Sequence, residues 1–250
     1  MNTILDGSKM LLRESLDVIG DSLNDIIIVG GWGPYLRHPD IHPGTKDVDM
    51  LFPDSYSKFD MSEVLERFLA QGFFISAKHD FQLCRDYQIG KQKYIYNVDL
   101  LHPTDGKMNK VDFIEMMNLD VTVDGIQVKK ILSINIQFGK EIYSDNLFEK
   151  IDFEGRSFNV LDGAGIILSK INSCQGKKRP RDIYDIYLSL LEQNVKAKVT
   201  TLAEKSPFIN AELQKYIEQI NIKWPIYEES LSQFGIVGPE SKQILLMDQT

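Results

Sequence analysis

The run Ile26-Ile27-Ile28-Val29 stops at Gly30-Gly31, and this junction constrains the fold more than any other part of the chain. Four consecutive β-branched residues disfavour helix and read as a strand buried on both faces. Paired glycines then permit positive φ and let bare backbone amides approach whatever lies beside the strand end. A helix starting near Trp32 would aim its positive end at the same spot, which suits an anionic ligand such as a triphosphate.

Further along, Thr45-Lys46-Asp47-Val48-Asp49-Met50-Leu51-Phe52 alternates acidic and apolar residues. Period-two geometry puts Asp47 and Asp49 on one strand face and Val48 and Met50 on the other. Two neighbouring carboxylates repel each other unless a cation sits between them. Hard oxygen donors on a rigid strand suit Mg²⁺, with substrate phosphates completing its octahedron. Taken singly, Gly-Gly is an ordinary turn and Asp-x-Asp an ordinary solvated strand edge. In this order they point to metal-assisted phosphoryl chemistry. The linker between them holds Pro34, Pro39, Pro43 and Gly44, so a helix there must be short or bent. Arg37, His38 and Thr45 in that linker could touch a nucleotide or simply form a surface loop, and Trp32 is expected to pack at the helix start.

With these residues the chain resembles the DNA polymerase β-like nucleotidyltransferase superfamily, whose signature is an apolar strand, Gly-Gly or Gly-Ser, a short helix, and Asp-x-Asp on the next strand. Gly30, Gly31, Asp47 and Asp49 carry the match. The resemblance implies an α+β fold with a mixed-sheet core, Mg²⁺ as cofactor and an NTP as substrate. It also implies a third carboxylate on a later strand. Tyr94-Ile95-Tyr96-Asn97-Val98-Asp99-Leu100-Leu101 supplies Asp99, with Asn97 on the same face. Without the resemblance, Asp99 reads as a strand-end cap.

Residues 8 to 20 carry apolar residues at helical spacing and end at Gly20, so a helix should lead into the first strand. Residues 61 to 69 read as an amphipathic helix closing near Gly72, followed by a strand at 73 to 76. Residues 81 to 85 and 94 to 101 read as strands joined by a turn at Gly90, and residues 120 to 128 as a hairpin around Asp124-Gly125. Beyond residue 156 the pattern turns helical, over 161 to 173, 182 to 192 and 211 to 222. The expected division is a nucleotidyltransferase core over 1–155 and a mainly helical half over 156–250.

A second informative segment runs from Lys170 through Lys177-Lys178-Arg179-Pro180-Arg181-Asp182-Ile183-Tyr184-Asp185-Ile186-Tyr187. A lysine-bearing helix, a basic loop and Arg-Asp-Ile-Tyr-Asp-Ile are similar to the helical half of AbiEii-type nucleotidyltransferases, toxin components of bacterial toxin–antitoxin and phage-defence systems. The resemblance places Lys170 and Asp182 in the active cleft, with the lysine balancing triphosphate charge as pyrophosphate departs. Asp182 and Asp185 share a helix face and can equally be capping acids paired to Arg179 or Arg181. The basic run is either a solvated loop or a patch for RNA phosphates. Tyr184 and Tyr187 either stack bases or fill a helix interface.

The net charge of -8 argues against broad nonspecific affinity for nucleic acid and leaves a local basic patch possible. Cys84 and Cys174 fit no metal spacing and are expected to be buried reduced thiols. No apolar run reaches the roughly 18 residues of a membrane span, and the N-terminus lacks a signal core, so a cytoplasmic protein with no membrane partner is expected.

The expected activity is transfer of an NMP from an NTP to an acceptor hydroxyl. Asp47, Asp49 and Asp99 would hold Mg²⁺, while Gly30, Gly31, Thr45 and Lys170 would contact the nucleotide. The AbiEii resemblance implies an RNA acceptor, the 3′ end of a tRNA, and a cognate antitoxin protein. Two alternatives are an aminoglycoside- or lincosamide-type small-molecule nucleotidyltransferase and a catalytically inactive nucleotide-binding regulator.

Overall fold

The computed structural model describes residues 3–56, 58–76, 79, 82–103, 114–117, 121–123, 126–128, 131–175 and 179–247. The chain divides into two compact units, Met1–Val160 and Leu161–Thr250. The first mixes strands and helices and the second is built of helices, an α+β protein.

The first unit opens with α1 (Ile4–Ile19), fixed at its start by a reciprocal cap between Thr3 and Asp6 and ended by Gly20 at φ 57. Then follow β1 (Ile27–Val29), α2 (Trp32–Arg37), β2 (Val48–Leu51), α3 (Lys58–Ala70), β3 (Phe74–Ile75), β4 (Gln82–Ile89) and β5 (Gln92–Pro103). β6 (Ile114–Met117), β7 (Val121–Val123), β8 (Ile126–Val128), β9 (Ile131–Ile136), α4 (Gly139–Ser144), β10 (Phe148–Phe153) and β11 (Arg156–Leu161) complete the run. The expected helix after the paired glycines is only six residues long, as the prolines around it require. The expected hairpin after residue 120 is present as β7 and β8, with its Asp124-Gly125 tip outside the described residues.

The main sheet runs β10-β11-β1-β2-β5-β4-β3, and the far end of β5 pairs β9, which in turn pairs β6. β1 is antiparallel to β2, whereas β2 is parallel to β5. One face is core: Ile28, Val48, Met50, Val98 and Leu100 pack with Leu11, Leu12 and Leu16 of α1 and Val64, Leu65 and Phe68 of α3. The single O–H of Tyr143 in α4 is shared between the carbonyls of Leu51 (2.7 Å), at the end of β2, and Asp25 (3.0 Å), just ahead of β1, which ties α4 to the ends of the central strands.

The second unit holds α5 (Gly163–Lys170), α6 (Pro180–Leu190), α7 (Val195–Lys205), α8 (Pro207–Ile222), α9 (Trp224–Ser232) and α10 (Pro239–Leu245). Asp162 caps α5 by accepting from Gly165 N (2.8 Å), and Ser206 caps α8. Tyr184 fills a helix interface, stacked on Phe234 with ring centroids 4.3 Å apart. No helix among the described residues is long and apolar enough to cross a membrane.

Candidate active site

The site is set by strand order. β1 and β5 flank β2, so the end of the Ile-rich strand and the later acidic strand both lie beside Asp49. Val29 is the register partner of Asp49 on one side, and Asp99 is its partner on the other. Alternation therefore places Asp47, Asp49, Asn97 and Asp99 together on the face opposite the core, all half-buried. Stretches that lie far apart along the chain meet here because β2 is the middle strand.

Gly30 joins the first motif to the second. Its φ is 67, a conformation that side chains other than glycine rarely adopt, and a Cβ added there would land on the Asp49 carboxylate. Gly31 is different: its φ of -80 and ψ of -10 are ordinary, and it serves as the N-cap of α2. Trp32 is fully buried at the helix start and meets Tyr35 edge-on, as expected of a packing residue.

Asn97 donates its side-chain amide to Asp47 Oδ1 at 3.1 Å. Its own Oδ1 accepts from the Cys84 thiol at 3.5 Å, across the β4–β5 pair in which Cys84 faces Asn97 and Gln82 faces Asp99. Burial raises the Cys84 thiol above its ordinary pKa, a hydrogen bond from Ser76 opposes this, and the charges of Asp99 and Asp47 reinforce it. The thiol is therefore protonated and acts as a donor. Both cysteines are free and buried, as the sequence reading expects.

Neither Asn97's grip on Asp47 nor the presence of Cys84 at the site is among the sequence expectations. The signal was present: the tight turn at Gly90-Lys91 fixes the hairpin register, and with it the residue opposite each position of β5.

The other expected residues are placed as follows. Thr45 is buried just ahead of β2, and Arg37 pairs with Glu149 of β10. His42 is buried too, accepting from Gly44 N at 3.1 Å, so the linker is an anchored loop and not a purely solvated one. Lys170, Asp182 and Asp185 belong to the helical unit and meet one another. The Lys170 ammonium lies 2.8 Å from Asp182 Oδ1 and 2.8 Å from Asp185 Oδ2. All three are buried, Asp185 completely. Burial alone would lower the Lys170 pKa, but the charges of Asp185 and Asp182 outweigh it, so the net shift is upward and the lysine is charged. Lys177 and Lys178 lie outside the described residues, while Arg179 is exposed ahead of α6.

Among the described residues, no three His, Cys, Asp or Glu side chains gather closely enough to cage a cation by themselves. Mg²⁺ does not require such a cage, since one or two carboxylates with substrate phosphates and water complete its shell. The adjacent Asp49 and Asp99 fit that donor set, with Asp47 next along the same face.

No family model and no curated protein matches the chain. Several solved structures are similar to it, two of which follow. An antigenic nucleotidyltransferase-like protein from Paracoccidioides brasiliensis is 15% identical over 84% of this chain and 93% of its own, with a TM-score of 0.40. JHP933 from Helicobacter pylori is 11% identical over 98% of this chain and 94% of its own, with a TM-score of 0.38. These values describe a loose correspondence of backbone path.

Proposed function

We propose that the chain is a Mg²⁺-dependent nucleotidyltransferase that moves an NMP from an NTP to an acceptor hydroxyl. One observation carries the reading: Asp49 and Asp99 are register partners on a polar sheet face, and Gly30 lies bare against the Asp49 carboxylate. An arrangement serving only stability would not set two carboxylates side by side and keep the backbone beside them free of a side chain.

In this reading Asp47, Asp49 and Asp99 hold Mg²⁺, which would supply charge stabilisation on the phosphate oxygens. Gly30 and Gly31 let the triphosphate approach the backbone closely. Asp99 is the residue assigned to accept the proton of the acceptor hydroxyl. The acceptor oxygen forms a bond to the α-phosphorus, the bond from that phosphorus to the bridging oxygen breaks, and pyrophosphate leaves with the electron pair. Lys170, Asp182 and Asp185 form an ion-paired set within the helical unit, and no step is assigned to them.

The proposed acceptor is RNA, the 3′ end of a tRNA, as in a toxin-like or phage-defence enzyme with a protein antitoxin. Its support is the likeness of the Lys170 to Asp185 segment to the AbiEii type, together with the exposed Arg179. The test is incubation of the purified protein with each α-labelled NTP, Mg²⁺ and total tRNA, beside a parallel arm with aminoglycosides. Label on tRNA from wild type and none from Asp49→Ala is expected, with both proteins equally folded. Undiminished transfer by Asp49→Ala refutes the assignment, and label on the drug alone replaces the RNA acceptor with a small molecule.

A further inference from the structure

On the acidic face an uncharged polar residue, Asn97, contacts a carboxylate directly. Asn97 stands between two strands of chemistry: its amide nitrogen donates to Asp47 Oδ1 at 3.1 Å, and its carbonyl oxygen accepts from Cys84 Sγ at 3.5 Å. An amide has two ends that differ only in donor or acceptor character, so something must decide which end faces the carboxylate. The Asp47 carboxylate, which only accepts, takes the NH₂ end, and the Cys84 thiol donates to the oxygen end and so braces the same orientation from the other side.

Asp47 lies just before β2 begins at Val48. Asp49 is held within the strand, flanked by Val29 and Asp99. Asn97 also engages one oxygen of Asp47 by name, which orients the carboxylate plane as well as its position.

From this we infer that Asn97 is a positioning residue for the cation site, fixing the Asp47 carboxylate through a hydrogen bond that Cys84 braces from the far end of the amide. The inference rests on the acidic face being a divalent-cation site, as proposed above. The residue touches neither substrate nor ion in this role and acts through Asp47. Replacing hydrogen-bond partners of metal-binding side chains weakens metal affinity by roughly 10- to 100-fold.

The probe is Mn²⁺ alone, titrated into the full chain and followed by the electron paramagnetic resonance signal of the free ion. Urea unfolding without metal is measured on every variant. Asn97→Leu keeps the size and loses the donor, and it is expected to weaken Mn²⁺ binding on the order of ten-fold with the urea midpoint little changed. Asn97→Gln keeps an amide donor and should recover part of the loss. Cys84→Ala leaves Asn97 in place but removes the donor that braces its amide oxygen, and it should lose less affinity than Asn97→Leu; this variant carries the test if Asn97→Leu does not fold. Asp49→Ala separates the two levels of the argument. If wild type and Asp49→Ala bind Mn²⁺ alike, or neither binds, the acidic face is no cation site and the inference goes with it. If Asp49→Ala loses binding while Asn97→Leu and Cys84→Ala both stay within two-fold of wild type, the cation site stands and the role of Asn97 is wrong.

Discussion

The two adjacent glycines are not equivalent, and Gly30→Ala should expose the difference. At φ 67 an alanine meets the left-handed penalty of about 1–2 kcal/mol, whatever the surrounding space. The new methyl group would also collide with the Asp49 carboxylate, whose Cγ lies 2.8 Å from the added Cβ position. An aspartate side chain is short, so relief comes from swinging the carboxylate off the polar face. Two consequences follow: a stability loss of at least about 1 kcal/mol, and Mn²⁺ affinity reduced to that of Asp49→Ala. In an Asp49→Ala background the nearest obstacle is the residue 49 Cβ at 3.2 Å, so Gly30→Ala should cost less there than in wild type. Gly31→Ala, at an ordinary φ of -80, lacks the backbone penalty and serves as the control. Urea titration of the four proteins in the Gly30/Asp49 cycle, with Mn²⁺ binding measured beside it, provides the readout. Strict additivity in stability to within about 0.5 kcal/mol, combined with wild-type Mn²⁺ binding by Gly30→Ala, would refute the closeness of Gly30 to Asp49.

Three further outcomes are expected. Lys170→Met strands two buried carboxylates and should destabilise the protein by about 3–5 kcal/mol, with much of the loss recovered when Asp182 and Asp185 are also changed to leucine; a loss under about 1 kcal/mol means the ion set is not buried as described. Stability should fall on the alkaline side, because burial first of all raises Cys84, Cys174, Tyr87 and Tyr143 above their ordinary values of 9.0 for thiols and 10.0 for phenols. The folded state then holds protons that the unfolded chain releases, so this stabilisation is complete below about pH 9 and is lost as pH climbs through the raised values. Urea midpoints that stay flat from pH 8 to 11 contradict this, and Tyr143→Phe should shallow the slope. Asp49→Asn should stabilise the protein in EDTA, since two carboxylates about 5 Å apart on adjacent strands repel by roughly 1–3 kcal/mol across effective dielectrics of 80 to 20; a destabilised Asp49→Asn in EDTA counts against the pairing with Asp99.

Local pattern made the elements of the first unit legible. Ile26 to Val29, the alternation at Asp47 to Phe52 and the Gly90 turn each dictate a strand or its end without help from distant residues. Which strands become neighbours depends on tertiary packing, and alternation within β2 does not reveal that β5 lies beside it in parallel. For Asp99 the resemblance supplied what periodicity could not. The helical unit was less legible. Lys170, Asp182 and Asp185 were visible as charged residues at helical spacing, but their burial depends on how α5 packs on α6, and a sequence window cannot distinguish a buried ion set from a solvated one. Tyr184 likewise reads as a base-stacking candidate until Phe234, far along the chain, is found lying on its ring.

The alternation in β2 also links the stability of the core to the geometry of the site. Val48 and Met50 are fully buried on one face while Asp47 and Asp49 point from the other. Sliding β2 by one residue against β1 or β5 would bury both aspartates and expose both apolar side chains, so the hydrophobic face enforces the register that sets Asp49 beside Asp99. The same holds for β5, where Val98 and Leu100 are buried around Asp99. Core burial therefore supplies the force that keeps mutually repelling carboxylates side by side, a juxtaposition their own electrostatics would oppose. The polar face is free to specify chemistry because the apolar face has already fixed where each of its residues stands.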